Sequence, residues 1–143
     1  MNKAIPKSVG EIEAEISQAA IRFEKEIMGR GPLETKTYLL DDLVVIRLKG
    51  VLTQAEMKLA EAGDRQRGRY LLKQVRQELI DHARPLLESM IREILGVEIT
   101  SLHTDISTRV GERVIVLSLS ERPNVSPTRS NGAPTRERNG TAK

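Results

Sequence analysis

Two groups of side chains in this sequence have the types and spacing to do chemistry. His103 and Asp105 alternate with Ser101 and Ser107, so on a strand all four share one face. An imidazole beside a carboxylate is the composition of a general base or of a pair of metal ligands. A spacing of two supplies only two ligands, no third is apparent, and no activated nucleophile accompanies the pair. The other histidine, His82, falls on a helical apolar stripe and is expected as a satisfied core or interface residue.

The second group is Gly29-Arg30-Gly31-Pro32. Two glycines can present backbone N–H groups as an anion nest, and a guanidinium adds charge and fork geometry. With Arg47 and His103 nearby, Gly29, Arg30 and Gly31 would surround a small anion, as a regulatory domain that senses one requires. A structural account competes and is preferred. Gly29 closes a helix, Gly31-Pro32 turns the chain into a strand, and the helix end there is the negative pole, which opposes an anion.

Phosphate-binding glycine loops, dinucleotide motifs, zinc patterns and calcium loops are all missing. Neither an enzyme nor a cofactor is therefore expected. Cysteine is absent, which removes disulfides, thiolate metal sites and cysteine nucleophiles and is compatible with a reducing cytoplasm. No apolar run approaches the roughly 18 residues of a membrane span, so no membrane insertion is expected. The N-terminal MNKAIPKSVGEIEAEI has no signal-peptide core.

The net charge of +3 belongs wholly to residues 121–143, and the remainder is balanced. With only Phe23, Tyr38 and Tyr70 aromatic, a base-stacking platform is not expected, nor is nucleic-acid binding.

Helical and strand periodicities place these residues. Ser8 and Glu11 have capping-box spacing, and Ile12, Ile16, Ala19, Ala20, Phe23 and Ile27 follow at helical intervals. Glu11, Glu13, Glu15, Glu24, Lys25 and Glu26 are assigned to the solvated surface. Thr35–Leu40 and Leu43–Lys49 read as strands joined at Asp41-Asp42, an awkward pair where a type I′ turn wants two positive φ angles. Thr53 and Glu56 repeat the capping-box spacing and open a short helix.

After a loosened stretch around Gly63 and Gly68, a long helix is expected from about Arg69. Its stripe would be Leu72, Val75, Leu79, His82, Leu86 and Met90, widened by Leu71, Leu87, Ile91 and Ile94, with a kink near Pro85. Val97–Ser107 and Glu112–Ser120 read as the last two strands, the final one apolar on both faces, which suits a central strand or an edge that a second subunit covers.

The order is αββαββ, an α+β fold in residues 8–120. A four-stranded antiparallel sheet would carry its helices on one face, followed by a disordered basic tail over 121–143. The sheet's other face, or the long helix, would suit a homo-oligomer.

The strings FEKEIMGRGP (Phe23–Pro32), VIRLKGVLTQAE (Val45–Glu56) and LHTDIST with GERVIVLSL (Leu102–Leu119) together resemble the bacterial MpsC-like family. So does QVRQELIDHARPLLESMIREILGVEI between them. The family is named for the C component of a sodium-translocating system that generates membrane potential, and the resemblance spans about residues 8–120. It implies a cytoplasmic accessory protein, at the inner face of the membrane, partnered with a membrane transporter complex. It carries over no catalytic residue, and a chain with no membrane span cannot itself conduct ions through lipid.

Overall fold

The computed structural model describes residues 5–61, 63 and 65–126. Its elements are α1 (Val9–Met28), β1 (Glu34–Leu40), β2 (Leu43–Lys49), α2 (Gln54–Glu61), α3 (Arg65–Leu95), β3 (Ile99–Ser107) and β4 (Glu112–Leu119). The strands form one antiparallel sheet in the order β1-β2-β4-β3, so the doubly apolar β4 is central as expected.

Local chemistry sets the ends of α1. Ser8 Oγ accepts from the Glu11 N–H at 3.1 Å while Glu11 Oε1 accepts from the Ser8 N–H at 2.9 Å. The Gly29 N–H returns to the Lys25 carbonyl at 3.1 Å with φ +86°, a left-handed position that costs glycine little. Thr53 and Glu56 make the same reciprocal pair at the start of α2.

In the β1–β2 hairpin only Asp41 takes positive φ, at 57°. A positive angle at the first central residue alone is the type II′ pattern, so the two-residue turn closes without the second left-handed residue that type I′ demands.

The inner face of the sheet carries Leu39, Val44, Ile46, Leu48, Ile115 and Leu117, buried against α1 and α3. Both sheet edges are guarded. The Leu39 N–H on β1 donates to Glu13 Oε2 from α1, and the Ile106 N–H on β3 donates to its neighbour Asp105 Oδ1. Occupied edge donors remove part of the template for strand addition.

Several boundaries and faces differ from expectation. The strand β3 starts at Ile99, two residues after Val97, which packs into the core ahead of it. The helix α3 starts at Arg65 and takes in Gly68, and, as expected, Pro85 does not end it. Its buried positions among the described residues are Gly68, Leu72, Arg76, Ile80, Ala83, Leu87, Ile91 and Leu95. Val75, Leu79, His82 and Leu86 are exposed, so His82 is not a core residue. An arginine at position 76 hid the true inward stripe.

The segment assigned to the tail also begins within the fold. Pro123 is buried, Val125 packs on the core, and the Ser126 N–H donates to the Lys7 carbonyl at 2.8 Å. The rest of the expected disordered tail, 127–143, lies outside the described residues.

Gly68 does not loosen the helix. A Cβ there would run into the Leu59 carbonyl oxygen of α2, so the glycine is what lets the two helices approach. Glycine to alanine inside a helix ordinarily gains roughly 0.5–1 kcal/mol. Here Gly68→Ala should instead lose about 1–3 kcal/mol through overpacking, read as a lower urea midpoint. A raised midpoint would contradict the close approach.

Candidate functional site: a charge network under the sheet

Between the helices and the sheet lies a set of ionic groups that the sequence reading did not isolate. Glu24 of α1 and Arg113 of β4 are each 1% exposed, and Arg76 of α3 is 3% exposed. Glu24 Oε2 and Arg113 Nε stand 3.7 Å apart, an ion pair too long to be a hydrogen bond. Arg113 Nη1 donates to Thr104 Oγ1 of β3 at 2.9 Å. Arg76 is clamped more tightly. Its Nε and Nη2 donate to the Glu56 carboxylate at 3.2 and 2.8 Å, and Nη2 also reaches the Val51 carbonyl at 3.1 Å. Glu56 thus caps α2 and anchors α3 with one carboxylate.

The electrostatics follow from burial. Desolvation pushes the Glu24 carboxyl above the ordinary glutamate range, against the pull of Arg113 and Arg76. Burial likewise lowers Arg113, opposed by Glu24. At Glu56 burial pushes upward, but hydrogen bonds from Arg76 and Thr53 outweigh it and hold the carboxyl below its usual range. Glu24 Oε2, Arg76 Nη1, and Arg113 Nε and Nη2 are buried and make no hydrogen bond within the described residues. Such a network can lock α1, α2, α3 and the sheet in one mutual arrangement. It carries no nucleophile.

Its members were legible in spacing. Glu24 lies four residues after Ala20 and eight after Ile16, on the buried stripe and not on the solvated face assigned to it. Arg113 shares the phase of Ile115 and Leu117.

The residues singled out from sequence fall elsewhere. Arg30 Nη1 donates to the Leu52 carbonyl at 3.1 Å, holding the Gly29–Gly31 turn against the connection from β2 to α2. Arg47 and His103 share the outer sheet face, with β4 between their strands. Arg47 pairs with Glu112 at 3.1 Å, and this hydrogen bond raises its pKa. His103 Nε2 and Ser101 Oγ are hydrogen-bonded at 2.7 Å. Asp105 turns to Lys73 at 3.0 Å, which, with the Ile106 N–H, outweighs the upward push of burial and lowers its pKa. Among the described residues no group of three or more His, Asp or Glu is placed to hold a metal ion, and no helix is long and apolar enough to cross a membrane.

Among the described residues no helix lies over the outer sheet face. In register, Tyr38, Val45, Val116 and His103 make one row across the four strands, and Lys36, Arg47, Val114 and Asp105 the next. The sheet is thus backed by helices on its inner face, with the charge network between the two layers. Comparison with known proteins places it further: the chain belongs to the MpsC family, described as "Na+-translocating membrane potential-generating system (MpsC)", whose model matches residues 8–121. It is also similar to the uncharacterized protein YbcI of Bacillus subtilis strain 168, 41% identical over 113 residues that cover 79% of this chain and 89% of that one. No solved structure matches.

The pKa directions fix the pH behaviour of the lock. Glu24 is raised, so the stability of its protonated form is complete below about pH 4.5 and declines as pH rises through the folded value. Glu56 is lowered, so its contribution is present above about pH 4.5 and is lost as pH falls through its folded value. Glu24→Gln, which keeps the shape of the protonated acid, should abolish the decline on the alkaline side in urea titrations. Arg113→Met should cost about 3 kcal/mol by stranding the buried carboxylate. An unchanged pH slope in Glu24→Gln would contradict the network.

Proposed function

We propose that this protein is a non-enzymatic accessory component of a cation-translocating membrane system, working in the cytoplasm at the inner face of the membrane as a homo-oligomer. Family membership supplies the system, and the observation that carries the docking role is the second apolar stripe of α3. Leu71, Val75, Leu79 and Leu86 lie along one side of that helix with His82 among them, Val75 being 57% exposed. They are distinct from the buried positions that anchor α3 to the core. A run of this kind, at intervals of three and four, is how an amphipathic helix presents anchors to a partner groove. The occupant is an integral membrane protein, because the described helices of this chain cannot cross lipid and translocation needs a chain that does.

A second reading, a small-anion-sensing homodimer, has a narrower support. Among the described residues Arg30 is hydrogen-bonded to a carbonyl and paired with no carboxylate, so its charge is not neutralised locally. Bicarbonate, phosphate and nucleotides in a thermal-shift panel test it. A bound ligand at one hundred times its Kd adds about 2.7 kcal/mol and a clear rise in Tm, and a flat panel removes the reading.

The docking role is tested by affinity capture from gently solubilised native membranes. The unmodified chain should recover a multi-spanning membrane protein, and Val75→Asp should lose it. An exposed substitution at that site should change stability by no more than about 0.5 kcal/mol, checked by circular dichroism and urea unfolding. Undiminished recovery with Val75→Asp would contradict docking through α3, and recovery of the chain alone would contradict the accessory role.

A further inference from the structure

We infer that the open sheet face is an isologous interface for a second copy of this chain, closing an eight-stranded sandwich with the helices outermost. This deepens the homo-oligomer part of the function proposed above.

The register carries the argument. The outward positions form four rows that run from an uncharged end, Leu40, Leu43, Ser118 and Ser101, through Tyr38, Val45, Val116 and His103, to a charged end. At the charged end the two halves of the sheet differ in sign. The β1–β2 half presents Lys36, Arg47 and Lys49 beside Glu34. The β4–β3 half carries Glu112, paired with Arg47, and Asp105, paired with Lys73, which the lysines of a second copy would have to share. Two such faces can stack about a two-fold axis in two aligned ways.

An axis across the strands sets the leucine end of one copy on the charged end of the other and buries charge against apolar groups. An axis along the strands, between β2 and β4, keeps every row opposite itself. It lays β1 over the partner's β3 and β2 over its β4. Lys36 then faces Asp105 of the second copy, Lys49 faces Glu112, Tyr38 faces His103, and Val45 faces Val116. Each contact occurs twice, as an isologous interface requires. This axis sets opposite charges and the two central valines on one another, with Leu40 and Leu43 over Ser101 and Ser118 and Arg47 over Val114, and aligned packing of two sheets is a standard arrangement.

The edges leave the face as the available surface. Glu13 already takes the outward Leu39 N–H of β1, and Asp105 takes the Ile106 N–H of β3, so continuing the sheet edge to edge would have to displace both. Four rows of four outward residues are fewer than the roughly 20–30 per side of a standard interface. The dimer is accordingly expected at micromolar protein and to weaken with salt.

The test is the mass of the purified full chain by sedimentation equilibrium from 1 to 100 µM. The chain should be dimeric at the upper end, and Val116→Lys should dissociate it at least tenfold more readily. Lys36→Glu and Asp105→Lys should each weaken the dimer, and the two together should restore it, because each reversal then meets its complement on the second copy. A monomer throughout would overturn both the interface and the homo-oligomer. A dimer indifferent to all these changes would overturn this interface and leave the homo-oligomer standing. If Val116→Lys abolished capture of the membrane protein without changing the mass, the face would belong to that partner and the dimer proposal would fall.

Discussion

The buried meeting of Arg113 with Glu24, and of Arg76 with Glu56, is the constraint to which the other parts are fitted. Two guanidiniums and a carboxylate lie almost wholly out of water, at the place where α1, α3 and the middle of the sheet converge. Apolar side chains of similar volume would hold these elements together as well, and often better. Charges add directionality. The Glu56 carboxylate fits Arg76 only if α2 starts at Thr53, and Arg113 reaches Thr104 only if β3 and β4 keep their register. The fold has traded some stability for a fixed arrangement of its helices on the sheet.

With the inner layer locked, two surfaces are left for other molecules, and they differ in kind. The outer sheet face runs from an uncharged row to a charged one, and is the face proposed to meet a second copy. The α3 stripe is narrow and apolar, and lies in the helix layer. A dimer closed through the first leaves the second exposed on both outer sides, so the two uses do not compete. The proposed dimer would present two identical helical ridges, as the proposed accessory role requires. The charges of the outer face are mostly committed to one another, as with Arg47 and Glu112, and the carboxylate beside His103 turns away to Lys73.

Much of this was legible from residue types. The capping boxes at Ser8 and Thr53, the left-handed Gly29 and the alternation of β2 and β4 follow from local chemistry, and local chemistry gives the αββαββ order. What failed were positions where a polar residue faces inward. Glu24, Arg76 and Arg113 are in phase with apolar neighbours, but a reading by hydrophobicity sends charged residues outward. On α3 the expected stripe included the buried Leu72, Leu87 and Ile91 but not Arg76, Ile80 and Ala83, and its Val75, Leu79, His82 and Leu86 are exposed. Gly68 misled in a related way. Sequence shows a helix breaker, whereas the glycine serves a contact with Leu59 that only the tertiary structure supplies. The anion site from Gly29, Arg30, Gly31, Arg47 and His103 drew on residues that the fold distributes between a turn and two strands separated by β4.

The division of labour between the two surfaces is tested most directly by photo-cross-linking in living cells, with a photoreactive residue placed at position 75 or at position 116. The account predicts an adduct with an integral membrane protein from position 75, and an adduct of twice the chain's mass from position 116. A membrane-protein adduct from position 116, with only self-adducts from position 75, would contradict it.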